Sequence, residues 1–149
     1  MPDRPVFEPT NRRATATGVG RVLVAVYGVF ALSASARAGV QLVARFHEAP
    51  LAYLLSAFAG AVYILATVGL AFGYRRLAWT TVLIELCGVL AVGTLSLALP
   101  EDLPRATVWS GYGAGYGWVP LVLPVFGVLW LRHTRHRFEI SRNDSGNAQ

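Results

Sequence analysis

Apolar residues in this chain arrive in long blocks rather than in alternation. Residues 1–20 hold Pro2, Pro5 and Pro9 among Thr, Arg and Gly with no apolar period, which predicts a flexible tail. An apolar block then runs from Val22 to about Ala44, broken by Arg37. A second, over about 51–73, has no charge, and a third, over about 77–99, has one acid, Glu85. At 1.5 Å per residue the second block reaches ~35 Å, enough to cross a ~30 Å hydrocarbon core. Segments that are apolar on every side fit lipid as their solvent. The pattern predicts an all-α integral membrane four-helix bundle over 21–132, with spans near 22–44, 51–73, 77–99 and 112–131. Polar turns separate them at 45–50, 74–76 and 100–105, and Pro50 is placed to open the second helix. Residues 133–149 read as a basic and then disordered tail.

The fourth block is irregular at its outer end. Pro120 and Pro124 follow the run Trp109-Ser110-Gly111-Tyr112-Gly113-Ala114-Gly115-Tyr116-Gly117-Trp118. A helix starting near Trp118 holds Pro120 harmlessly in its first turn but leaves only ~21 Å of apolar length. A helix starting near Gly111 is kinked by both prolines. Irregular backbone at membrane depth must be covered by protein or line a wet cavity, so the outer mouth, with Trp109, Tyr112, Tyr116 and Trp118, is a candidate binding site. Gly115-Tyr116-Gly117 resembles a potassium-filter triplet only superficially. No Thr-Val precedes it, no Asp follows it, and there is no room for a pore helix. The Gly-x-Gly spacing lacks the βαβ setting of a dinucleotide site.

Charge orients the bundle. All 13 basic residues are Arg, which suggests a GC-rich bacterial genome. Ten of them fall in the N-terminal segment through Arg21, the turn at 74–76 and the segment after Leu131. Cytoplasmic flanks are enriched in Arg, so the expected topology is N-in/C-in in a bacterial plasma membrane. Glu48, Glu101 and Asp102 then face outward, with the Trp109–Trp118 aromatics at the outer interface and Tyr74, Trp79 and Trp130 at the inner one. A net charge of +5 concentrated beside apolar spans points to anionic lipid headgroups as partner, not to nucleic acid. Val22–Leu32 followed by Ala34-Ser35-Ala36 also has the look of a cleavable signal peptide, but the apolar run continues through Gly39–Val43, which favours an uncut first helix.

Candidates for chemistry are few. Cys87 is the single cysteine, inside a span and without a neighbouring base. His133 and His136 lack further ligands and lie among arginines, so no metal and no cofactor is expected. Small residues recur at i, i+4, as in Ser56–Gly60 and Gly69–Gly73, a spacing that packs helices within the bundle or onto a partner. A weak match of Tyr27–Leu32 to Cys87–Val92 hints at a parallel repeat. Arg37 and Glu85 are the two intramembrane charges, and each needs a partner or a wet route. They differ in depth by ~10 Å, so pairing and outward snorkelling of Arg37 both stay open.

Phe46-His47-Glu48-Ala49-Pro50-Leu51-Ala52-Tyr53-Leu54-Leu55-Ser56 and Ala106-Thr107-Val108-Trp109-Ser110, continuing to Leu131, resemble small actinobacterial four-helix integral membrane proteins. The resemblance implies a fold and no activity. The expected function is a non-enzymatic, helix-packing or accessory component of a cell-envelope membrane complex, with a partner membrane protein or a second copy as its mate. The alternative is a small transporter or proton-coupled carrier that uses Arg37 and Glu85. An enzyme acting on lipid has only His47, Glu48, Glu101 and Asp102 to draw on.

Overall fold

The computed structural model describes residues 18–101 and 106–146, with side chains through Thr134. The tail expected over 1–20 therefore lies, as far as residue 17, outside the described residues, as do 102–105 and 147–149. The fold is all-helical, with no strand among the described residues. Helix α1 (Gly18–Ala44) leads through a short 3-10 turn at Phe46–Glu48 to α2 (Pro50–Ala71). After a tight turn comes α3 (Arg75–Ala98), then a 3-10 segment (Ser110–Tyr116) and α4 (Val119–Gly146). Three helices are long and apolar enough to cross a membrane, and a fourth crossing counts only if Ser110–Tyr116 and Val119–Thr134, bent by 101°, form one span.

Local sequence explains most of the boundaries. Pro50 occupies the first turn of α2, where no N–H is needed. The α2–α3 turn uses Gly73 at φ +72°, a backbone conformation that costs glycine little. Just before it, a Cβ built on Gly69 would lie 2.8 Å from the backbone nitrogen of Ala78, so glycine there lets the two helices converge. Across that inner end Arg75 fastens α3 to α4, with Nη2 donating to the Leu131 carbonyl at 2.7 Å and Nη1 to Thr134 Oγ1 at 3.4 Å. Arg75, expected from the sequence to serve as inside charge, is a structural clamp between α3 and α4.

The bundle is apolar outside and partly polar inside. Leu32 is 75% exposed and Val43 90% exposed, while Ser56, Thr81, Glu85 and Thr107 are buried. Such an arrangement suits a hydrocarbon surround, where the interior must satisfy polar groups and the exterior need not avoid apolar ones. Ser56, Gly60 and Gly69 are turned inward, while Gly73 is exposed in the α2–α3 turn. Gly60 faces Ser35 of α1, and Gly69 faces Ala78 of α3. Their spacing builds the bundle itself.

Two boundaries differ from expectation. Helix α4 begins at Val119 rather than 112, and it continues to Gly146 through the segment expected to be disordered. The late start follows from the backbone of the glycine-rich run, in which Gly111, Tyr112 and Gly113 have φ of 55°, 58° and 82°. Left-handed residues cannot extend a right-handed helix. Pro120 then lies in the first turn of α4, where the Trp118 carbonyl accepts from Leu121 N and Val122 N.

Residues 106–118 form no simple surface loop. Thr107, Val108 and Trp109 are buried. Glycines on α3 make room for them. A Cβ on Gly88 would lie 2.6 Å from the Trp109 ring, and one on Gly93 would lie 2.4 Å from the Tyr112 ring. Overpacking at such a contact typically costs ~1–3 kcal/mol. Gly88→Ala should therefore lower the thermal midpoint in detergent and alter Trp fluorescence. Gly28→Ala, whose nearest neighbour is Thr67 Cγ2 at 3.8 Å, should not lower it.

Candidate functional site

The interior site is built from the middles of three helices. Counted from their inner ends, Tyr27 lies ~9 Å beyond Arg21, Glu85 ~13 Å beyond Arg76, and Tyr63 ~15 Å from Gly73. These comparable depths bring the side chains together. The Glu85 side chain is fully buried. Its Oε2 accepts a hydrogen bond of 2.7 Å from the Tyr27 hydroxyl, and its Oε1 is buried with no hydrogen-bond partner. Tyr63 interacts electrostatically with the same carboxyl group. Tyr63 acts on the carboxyl group through its hydroxyl as well as through the field. From α4, Gly127 comes up against the Tyr27 hydroxyl.

Trp109 closes this site on the side of the Ser110–Tyr116 segment. Its ring rests on Gly88, one turn along α3 from Glu85, and Nε1 donates to the Tyr63 hydroxyl at 3.1 Å. Phe58 meets the ring edge-on at 6.1 Å. Side-chain oxygens hold the segment that delivers Trp109. Thr107 Oγ1 accepts from Trp109 N at 3.2 Å and Ser110 N at 3.1 Å, Ser110 Oγ accepts from Thr107 N at 2.9 Å, and Ser96 Oγ accepts from Gly111 N at 2.8 Å. Tyr112 Oη and Thr94 Oγ1 are 3.0 Å apart.

Arg37 is remote from this carboxylate and does not pair with it. Its Nη1 donates to the Tyr116 hydroxyl and its Nη2 to the Ala106 carbonyl at 3.3 Å. The guanidinium carbon also lies 5.8 Å from the Tyr116 ring centre. Tyr116 is within electrostatic reach of Tyr63, and Phe30 fills the space between them with ring centres at 6.2 Å and 5.7 Å. Arg37 and Tyr116 thus form one polar group and Tyr63, Glu85 and Tyr27 another, with the Phe30 ring between them.

The outer-mouth residues separate into different roles. Trp109, expected at the interface, is 1% exposed and belongs to the core, because Gly88 leaves it a slot and Tyr63 gives its N–H an acceptor. Tyr112 and Tyr116 are half-buried against α3 and Arg37, and Trp118 alone of the four is exposed, at 50%. Sequence reasoning did not single out Tyr27 or Tyr63 as partners of Glu85. The available signal was a tyrosine far from either interface in each of two apolar spans. Among the described residues no group of three His, Cys, Asp or Glu could hold a metal ion. No protein-family model, curated protein or solved structure matches the chain.

The separate partners of the two charges give a quantitative test. Tyr27→Phe strips Glu85 of its donor and should cost ~1–3 kcal/mol of stability. The cost of combining it with Glu85→Gln should depart from the sum of the singles, since the two side chains touch. Arg37→Ala and Glu85→Gln share no partner, and their costs should add within ~0.5 kcal/mol. Thermal unfolding of the three singles and two doubles in one detergent measures both couplings.

Proposed function

We propose that the chain is a four-span protein of the bacterial plasma membrane, both ends cytoplasmic, that works as a small non-catalytic carrier. Its interior Glu85 takes up and releases a proton or a small monovalent cation. One observation carries this reading: a fully buried carboxyl group at membrane depth is met by the Tyr27 and Tyr63 hydroxyls and, among the described residues, by no cation. A bare carboxylate in such surroundings is expensive, and a bound proton or cation removes the cost. Tyr27 from α1 and Tyr63 from α2 are the titratable groups facing it. Neither brings a positive charge that would neutralise the acid permanently.

The proposed route runs from Arg37 towards Glu85 past the Phe30 and Trp109 rings, which serve as its gate. Arg37 and Tyr116 border the outer end, and Trp109 stands between that end and the carboxyl group. Displacing Trp109 from Gly88 would open the acid to the outside, and its return would close it again. The N-in/C-in orientation rests on the distribution of arginine. In that frame Glu85 lies nearer the inner face, and loading from outside requires the Trp109 movement.

The reading as an accessory, helix-packing component draws on a different observation. Helix α1 exposes Val22, Val29, Leu32, Val40 and Val43, a face that a partner helix could cover as well as lipid. Of the small residues that also suggested it, Gly60 and Gly69 pack inside the bundle.

Proteoliposomes holding the full chain and a pH-reporting dye separate the two. The carrier reading expects dissipation of an imposed proton, sodium or potassium gradient above that of empty vesicles, and its loss in Glu85→Gln. Wild-type vesicles indistinguishable from empty ones for all three ions would reject it. Stoichiometric recovery of another membrane subunit in mild detergent would then favour the accessory role. Orientation is checked by labelling intact cells in a Cys87→Ala background. His47→Cys should react with an impermeant maleimide, and Arg76→Cys should not.

A further inference from the structure

A cavity of about 760 Å³ opens beside α1, lined by Ala36, Arg37, Val40, Gln41, Arg45, Tyr53 and Ala106. It is separate from the Glu85 site and independent of whether Glu85 carries an ion. Two guanidinium groups border it. Arg45 is partly offset by Glu48, whose Oε1 is 4.0 Å from Arg45 Nε and whose Oε2 also accepts from the Tyr53 hydroxyl at 3.3 Å. The partners of Arg37 are both neutral, a tyrosine hydroxyl and a backbone carbonyl. Among the described residues the cavity therefore keeps a surplus positive charge. Gln41, one turn beyond Arg37 on the same wall, has its Oε1 buried with no hydrogen-bond partner. An unsatisfied carbonyl oxygen of this kind calls for a donor.

Depth and surroundings narrow the ligand. Arg37 lies ~24 Å beyond Arg21, so its backbone is ~6 Å short of the far edge of a ~30 Å core and its long side chain reaches the far headgroups. Val40, Val43, Leu51 and Leu54 expose apolar side chains around this end of α1 and α2. Phosphate is the anion most often presented at that level, and guanidinium groups match its geometry. We propose that this cavity binds a phosphate ester that carries a neighbouring hydroxyl. The phosphate lies between Arg37 and Arg45, and the hydroxyl donates to Gln41 Oε1. A phosphatidylglycerol headgroup and a soluble glycerol phosphate share this chemistry.

Native mass spectrometry of the full chain released from mild detergent tests the site, with added phosphatidylglycerol, phosphatidylcholine or glycerol 3-phosphate. One equivalent of phosphatidylglycerol should bind. Phosphatidylcholine, which has the phosphate but no hydroxyl donor, should bind more weakly. Arg45→Gln and Gln41→Leu should each weaken phosphatidylglycerol by roughly tenfold or more, since each removes a hydrogen bond of the phosphate or its neighbour. Both positions are away from the packed core, and a helical melting curve checks folding. Should Arg45→Gln fail to fold, Gln41→Leu carries the test alone. Displacement of the lipid by millimolar glycerol 3-phosphate assigns the site to a soluble ester, and retention assigns it to the lipid. Equal binding of both lipids with no effect of the variants overturns the proposal, as does failure to bind any of the three probes.

Discussion

A carboxyl group placed where no water reaches it obliges the surrounding helices to bring it donors. Glu85 does this to the whole bundle. Tyr27 must come from α1 at one depth and Tyr63 from α2 at a matching depth, which fixes the register of three helices against one another. In lipid the apolar surfaces of helices give little drive toward one particular arrangement, because hydrocarbon outside is as good a neighbour as hydrocarbon inside. Polar contacts and close approaches at small residues carry the specificity instead. Gly60 against Ser35 and Gly69 against Ala78 set how near the helices come, and the Glu85 cluster sets how far each is slid along the others.

The segment between α3 and α4 is shaped by the same need to satisfy polar atoms away from water. Its backbone N–H groups turn to Thr107, Ser110 and Ser96 side chains. Left-handed conformations at Gly111, Tyr112 and Gly113 fold it tightly enough for that. Tyr112 and Trp118 adopt positive φ without being glycine, at a cost of ~1–2 kcal/mol each. The contacts of Tyr112 with Gly93 and Thr94 compensate that strain at one of the two positions. Gly113 admits the Pro120 ring, which a Cβ would meet at 2.7 Å, so the segment is bound to α4 as well as to α3.

Apolar blocks are legible in a sequence because lipid imposes a length and a composition on each span separately. The first three helices, with Pro50 opening the second, were readable for that reason, while the turn expected at 74–76 lies at Phe72–Tyr74. What lay between helices was not, because it depends on which depths coincide. Glu85 was visible as a charge in a span, but its partner was not Arg37. Tyr27 and Tyr63 could have been found by counting residues inward from Arg21, Arg76 and Gly73, since antiparallel spans anchored on one face share a depth scale. Trp109 was misread because aromatic residues near span ends usually mark the interface. Its true environment depends on Gly88, a residue distant in sequence whose missing side chain leaves no local pattern. The 112–131 span failed at its start because the Gly-Tyr-Gly run allows both helical and left-handed backbone, and only the contacts with Gly93 and Ser96 decide between them.

Helix α4 has a consequence for the lipid around it. From Val119 to Leu131 its apolar part rises only ~20 Å, about two-thirds of an ordinary hydrocarbon core. In the four-span reading the remaining depth on that flank falls to the bent segment, whose Ala114, Gly115 and Gly117 are exposed and offer little apolar bulk. Acyl chains beside α4 therefore meet a shorter wall than those beside α1, whose helix has 27 residues. Such hydrophobic mismatch is relieved by local thinning of one leaflet, at fractions of a kcal/mol per ångström. The protein would accordingly sit at a lopsided dimple in the bilayer, and membranes of shorter or more disordered chains would accommodate it with less deformation than thick, ordered ones.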